Sequence, residues 1–182
     1  MADNYLENKM EEYRAGKRAA AAPRAARGML DLRLSRARVL VAGDLAPVVE
    51  ACARAFAAAG ARTAAFGCPG RCGTARCYDA ACAPADAVAA LVHDWLEIDV
   101  LVIAGADVAG VSAAVEAARA AIPEALRAPS FTRINIGFAP ARESGLAITI
   151  TDASAQAEDA ALLATVLCRH VPAPGGITVS RL

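Results

Sequence analysis

The chain is 182 residues long, which suits one domain plus an extension. Its 19 basic and 19 acidic residues cancel, so overall charge marks it for neither nucleic acid nor a membrane surface. It is 57% hydrophobic, much of that alanine, which predicts a core of small side chains in close contact, and no apolar run reaches the roughly 18 residues of a spanning helix.

Residues 1–36 read as an arm distinct from the domain at 37–182. The terminus "MADNYLENKMEEYRAGKR" lacks the apolar centre of a secretory signal. Without such a signal, six cysteines predict a reducing cytoplasm and no disulfide scaffold. Both lysines of the chain, Lys9 and Lys17, lie in the arm. Leu6, Met10 and Tyr13 recur at helical spacing, with Asp3 as a cap and Gly16 as a stop. The basic, alanine-rich linker "KRAAAAPRAARG" follows. An isolated helix this short is marginal in water, so the stripe is expected to dock, across a homodimer or higher homo-oligomer.

From Arg38 the pattern changes. "RVLVA" is a short apolar run, as expected of a strand covered on both faces. A helix follows, with Pro47 in its first turn, an apolar side of Val48, Val49, Cys52, Phe56 and Ala59, and Gly60 as its stop. "RTAAF" is a second strand and "ARCYDA" holds a third. Pro84 to Leu96 is a helix with Val88, Leu91, Val92, Trp95 and Leu96 inward; "IDVLVIAGA" is a second fully apolar strand. Val111 to Ile122 is a helix capped by Ser112 or the preceding glycine. "FTRINIGF" alternates, with Ile134, Ile136 and Phe138 on one face, and "LAITIT" alternates through Leu146, Ile148 and Ile150. Alternation implies that one face is less deeply covered. The connection "APARESG" allows either a hairpin or a tight crossover. Ser154 to His170 is an amphipathic helix, and "GGITVSRL" closes the chain as a strand. Strands alternating with helices make an α/β fold with a mostly parallel sheet.

In this order "RVLVAG…AFAAAGARTAAFG", "ARCYDAACAPADAVAALVHDWLEIDVLVIAGA" and "SAQAEDAALLATVLCRHVPAPGGITVSRL" resemble the short-chain dehydrogenase/reductase family over about residues 37–182. The resemblance implies a Rossmann-like three-layer sandwich and oligomers. It also directs attention to Gly43, Asp44 and Gly105 as cofactor-contacting candidates. The family's phosphate turn uses three glycines. Here Gly43 fills the first place, but Pro47 and Val49 stand at the second and third. Proline offers no N–H, which leaves the remaining N–H groups of the helix N-terminus as the anion donors. The second strand ends "AAFGCPG", without the carboxylate that holds an adenosine ribose; Arg71 is the nearby charge. The family's tyrosine and lysine pair is missing too. Past residue 17 there is no lysine, and the domain's only tyrosine is Tyr78. "YRAGK", Tyr13 to Lys17, is a chance match that precedes the first strand.

Cys68, Cys72, Cys77 and Cys82 are spaced C-x3-C-x4-C-x4-C. Four thiolates in so short a segment could hold zinc or an iron–sulfur cluster. The spacing matches neither zinc ribbons nor the common ferredoxin runs, and a strand through Cys77 would turn that thiol into packing. Cys52 and Cys168 read as core, and His93 and His170 stand alone near helix ends. Three functions follow. One is a shortened, non-catalytic relative of the reductases that serves as a binding or assembly module, with no tight NAD or NADP site. Another is an NAD(P)-dependent oxidoreductase completed by a heteromeric partner subunit. The last is a cysteine-based metal or redox protein.

Overall fold

The computed structural model describes residues 34–35, 37–67, 76–124, 127, 131–138, 146–170 and 178–179. The arm's apolar stripe, Arg71, Cys68 and Cys72 lie outside the described residues. Among the described residues there are seven strands: β1 Arg38–Gly43, β2 Arg62–Phe66, β3 Arg76–Tyr78, β4 Val100–Ala104, β5 Thr132–Gly137, β6 Leu146–Thr149 and β7 Thr178–Val179. The helices are α1 Ala46–Ala58, α2 Pro84–Trp95, α3 Val111–Ala121 and α4 Ala157–His170, the first three each following a strand within a few residues. The strands form one sheet in the order β3-β2-β1-β4-β5-β6-β7, and every neighbouring pair is parallel. Helices cover both faces, so the fold is an α/β Rossmann-like three-layer sandwich.

The two faces divide the apolar residues by strand parity. Val39 and Val41, with Ile134, Ile136, Ile148 and their neighbours, pack against α1 and α4. Leu40, Ala42, Phe66, Leu101 and Ile103 pack against α2 and α3. The central strands β1 and β4 therefore read as continuous apolar runs because both of their faces are covered. Alanine at positions 51, 53, 160, 161 and 164 is buried where α1 and α4 meet the sheet and each other.

On the α2/α3 side the apolar layer stops at β4, for no residue of β5 or β6 belongs to it. β5 presents Arg133 and Asn135 in alternation with its buried isoleucines, as its sequence pattern implies. The parallel pairing of β5 with β6 removes the hairpin alternative. Eight residues, 138–145, lie between β5 and β6, fewer than the roughly a dozen of a full helical crossover.

Several local expectations change. Leu96, expected inward, is 76% exposed. The helix stops there with Leu96 at φ +72°, which swings its side chain out of the buried stripe. Phe138 is 58% exposed because β5 ends at Gly137, one residue short of it. The last long helix starts at Ala157, since Asp152 to Gln156 form a hydrogen-bonded turn in front of it. Gly110, in the left-handed region at φ +78°, occupies the N-cap position of α3, while the Ser112 N–H donates to the Asp107 carboxylate.

Candidate functional site

The strand order reverses between β1 and β4. In an open α/β sheet that switch point is where ligands settle, outside the carboxyl ends of the strands. Gly43 ends β1 there and Gly105 follows β4, so two of the three cofactor-contacting candidates flank the crevice and Asp44 stands between them.

Their geometry is explained within the chain. Gly43 has φ +142°, and a Cβ on it would come within 1.9 Å of the Ala104 carbonyl oxygen. Only glycine lets β1 turn away this close to β4. Gly105 has φ +86°, and a Cβ there would come within 1.9 Å of the Asp44 carboxylate. The Ala106 N–H donates to Asp44 Oδ1 at 2.8 Å, and the Gly105 N–H donates to the Ile136 carbonyl at 2.7 Å. Asp44 thus bridges the ends of β1 and β4 across the mouth of the crevice.

The first turn of α1 was the remaining source of anion donors, and its N–H groups are engaged internally. The Leu45 N–H donates to the Ala104 carbonyl at 3.2 Å, and the Ala46 N–H to the Asp44 carbonyl at 3.1 Å. Pro47 has none to give. The Val48 and Val49 N–H groups both donate to the Leu45 carbonyl, at 2.9 and 3.0 Å. A pyrophosphate at this turn would meet the Asp44 carboxylate in place of free amides. Two unit charges about 4 Å apart repel by about 1–4 kcal/mol between bulk water and a protein surface. Asp44 and the internally bonded first-turn N–H groups thus stand where the family's turn would offer free amides.

The cysteine segment gives no assembled metal site among the described residues. Cys77 sits on β3, as expected, but it is exposed and not packed. It pairs in register with Ala65 on the α1 side, and β3 is the sheet's edge. Cys82 is half-buried against the α2/α3 layer. Cys52 is fully buried in the α1/α4 layer, and Cys168 packs partly buried against that layer. Burial pushes both thiols up to about 12, with Cys168 and Glu158 adding to the shift at Cys52. His93 stands exposed in the last turn of α2, its Nδ1 3.3 Å from Asp94 Oδ1.

Sequence reasoning missed two groups. Ser112 Oγ and Asn135 Nδ2 are buried without a hydrogen-bond partner. Both lie towards the carboxyl ends of the strands, on the side where the apolar layer stops at β4. Arg133 and Asn135 interrupt the apolar strand pattern, and that was the available signal. Arg133 Nε donates to Asn135 Oδ1 at 3.2 Å, while its Nη1 stands 3.7 Å from Glu116 on α3. No helix of the described residues is long and apolar enough to cross a membrane. Comparison with protein-family models, with curated proteins and with solved structures finds no match to this chain.

Proposed function

We propose that this protein is a binding or assembly module on a Rossmann-like scaffold, related to the short-chain dehydrogenase/reductases but without their chemistry. The observation that carries the reading is Asp44. Its carboxylate spans the switch point by accepting from the Ala106 N–H, and it lies against Gly105 where a phosphate would approach. Further support comes from the missing tyrosine–lysine pair, since no lysine follows residue 17. The assembly is a homodimer or a higher homo-oligomer.

Calorimetry with NAD(H) and NADP(H) tests the reading. The expected dissociation constant for each is weaker than about 100 μM, which corresponds to roughly 5.5 kcal/mol. Micromolar affinity for either dinucleotide would overturn it and favour the oxidoreductase completed by a partner.

A further inference from the structure

Arg119, Glu116 and Ser112 follow one another along one side of α3, in helical steps of three and four residues. Phe131, Arg133 and Asn135 follow one another along one face of β5 and the residue before it, in steps of two. A helical turn of about 5.4 Å nearly matches a two-residue strand step of about 6.6 Å, so the two series meet rung by rung. In the first rung the Arg119 guanidinium lies 4.3 Å from the centre of the Phe131 ring. In the second, Arg133 Nη1 stands 3.7 Å from Glu116 Oε1.

The third rung sets Ser112 against Asn135, and there the bonding stops. Ser112 is 6% exposed, and its Oγ and Asn135 Nδ2 are both buried without a hydrogen-bond partner. The Asn135 amide is oriented by its neighbour, since Oδ1 accepts from Arg133 Nε at 3.2 Å. An N–H and a hydroxyl are thus kept from water with no protein acceptor in exchange, which raises the free energy of this arrangement.

The rung lies next to the segment that joins β4 to α3, at the carboxyl ends of the strands. One further helical step back from Ser112 is Val108, half-buried against the α2/α3 layer and so set over the third rung. The segment is bracketed by Gly105 at φ +86° and Gly110 at φ +78°. A Cβ on Gly110 would meet nothing within 4 Å, so the conformation, not crowding, calls for glycine there. Two carboxylates hold the segment down. Asp44 Oδ1 accepts from the Ala106 N–H at 2.8 Å, and the Asp107 oxygens accept from the Ser112 N–H at 3.2 and 3.3 Å.

We propose that residues 106–109 are a lid at the switch-point crevice, closed in this structure and hinged at Gly105 and Gly110. Closure leaves Ser112 Oγ and Asn135 Nδ2 unpaired. Opening hydrates both, so the bond from Ala106 to Asp44 sets how often the lid lifts. What it uncovers is an amide N–H beside a hydroxyl, at the edge of the sheet where open α/β folds take their ligands.

Alkylation of the full-length variant Ser112→Cys tests this, with fully buried Cys52 as the internal control. The thiol at position 112 should be modified about tenfold or more faster than Cys52, because local opening precedes global unfolding. Adding Asp44→Ala should speed that modification by a further factor of about five or more relative to Cys52. Modification at the Cys52 rate, or a rate ratio unmoved by Asp44→Ala, would overturn the lid. Hydrogen exchange with Ser112→Ala supplies a second measurement. Removing the unpaired hydroxyl lowers the gain from opening, so the Ala106 amide should exchange about threefold or more slowly relative to Val102 of β4. An unchanged ratio would mean that the segment does not cover the rung.

Discussion

At the scale of single residues, Gly43 and Gly105 are held as glycine by contacts within the chain. In the dinucleotide-binding turn the first glycine serves the tight turn itself. Here the close approach of β1 to β4 is sufficient reason for Gly43, since a Cβ would press on backbone atoms that cannot yield. Gly105 differs, because the nearest obstacle is the end of the Asp44 side chain. The difference predicts a double-mutant cycle. Gly105→Ala should cost about 2 kcal/mol, part strain at positive φ and part collision. In an Asp44→Gly background the cost should fall by about 1 kcal/mol, whereas the larger cost of Gly43→Ala should stay unchanged. Chemical denaturation measures all four corners. An unaltered cost of Gly105→Ala in the Asp44→Gly background would mean that the carboxylate does not hold that space.

At the scale of elements, the turn from α2 into β4 shows local strain held by long-range pairing. Leu96 adopts φ +72°, a region that costs a leucine about 1–2 kcal/mol. The turn is fixed at its far end by Arg38. Its Nε and Nη2 reach Asp99 Oδ2 and Oδ1 at 2.8 and 2.6 Å, its backbone N–H donates to Oδ2 at 2.9 Å, and Nη1 reaches the Trp95 carbonyl at 2.7 Å. Hydrogen bonding to Asp99 holds the Arg38 guanidinium above its ordinary value, against the opposing effect of burial, with the charges of Asp99 and Glu97 adding. Glu97 is only 3% exposed, and Arg119, which stacks on Phe131 at 4.3 Å, pairs with it. Removing Asp99 leaves the partly buried Arg38 with only the Trp95 carbonyl and, at 3.8 Å, Glu97. Asp99→Ala should therefore destabilise the fold by about 2–3 kcal/mol, read as a lower denaturation midpoint, with Asp99→Asn costing less because one acceptor remains. A loss below about 0.5 kcal/mol for Asp99→Ala would show that the turn holds without the pair.

At the scale of the whole molecule, α1 packed on α4 closes one layer of the sandwich, and Cys52 and Cys168 lie within that layer. Arg54 to Glu158, at 2.6 Å, ties the same two helices at the surface. Both thiols have their folded values raised from 9.0 to about 12, so the folded state keeps protons that the unfolded chain loses. A raised folded value gives stability that is complete below the unfolded value and lost as pH rises through the folded one. Stability should therefore decline between about pH 9 and 12, by about 1.4 kcal/mol per pH unit for each thiol that ionises only on unfolding. The variant Cys52→Ala/Cys168→Ala should show a shallower decline over that window in denaturation measured against pH. Equal slopes would mean the thiols do not contribute. Alkylation with iodoacetamide at pH 8, mapped by mass spectrometry, should modify exposed Cys77 well ahead of Cys52 and Cys168.

What the sequence by itself determined was the layer each segment occupies. Alternation or continuity of apolar residues follows directly from how many faces of a strand are covered. That is why "RVLVA", "VLVIA" and "RINIG" were legible as strands, and why β5 could be read as polar on one side. Gly43, Asp44 and Gly105 could be singled out by their places at strand ends, but not their mutual contacts. Register, the positive φ at Leu96 and the choice of crossover over hairpin between β5 and β6 belong to tertiary structure, because each depends on partners distant in the chain. The fate of the switch point is the clearest case. Whether Asp44 faces solvent, a ligand or the Ala106 N–H is decided by how closely β4 lies beside β1, and no local pattern encodes that distance.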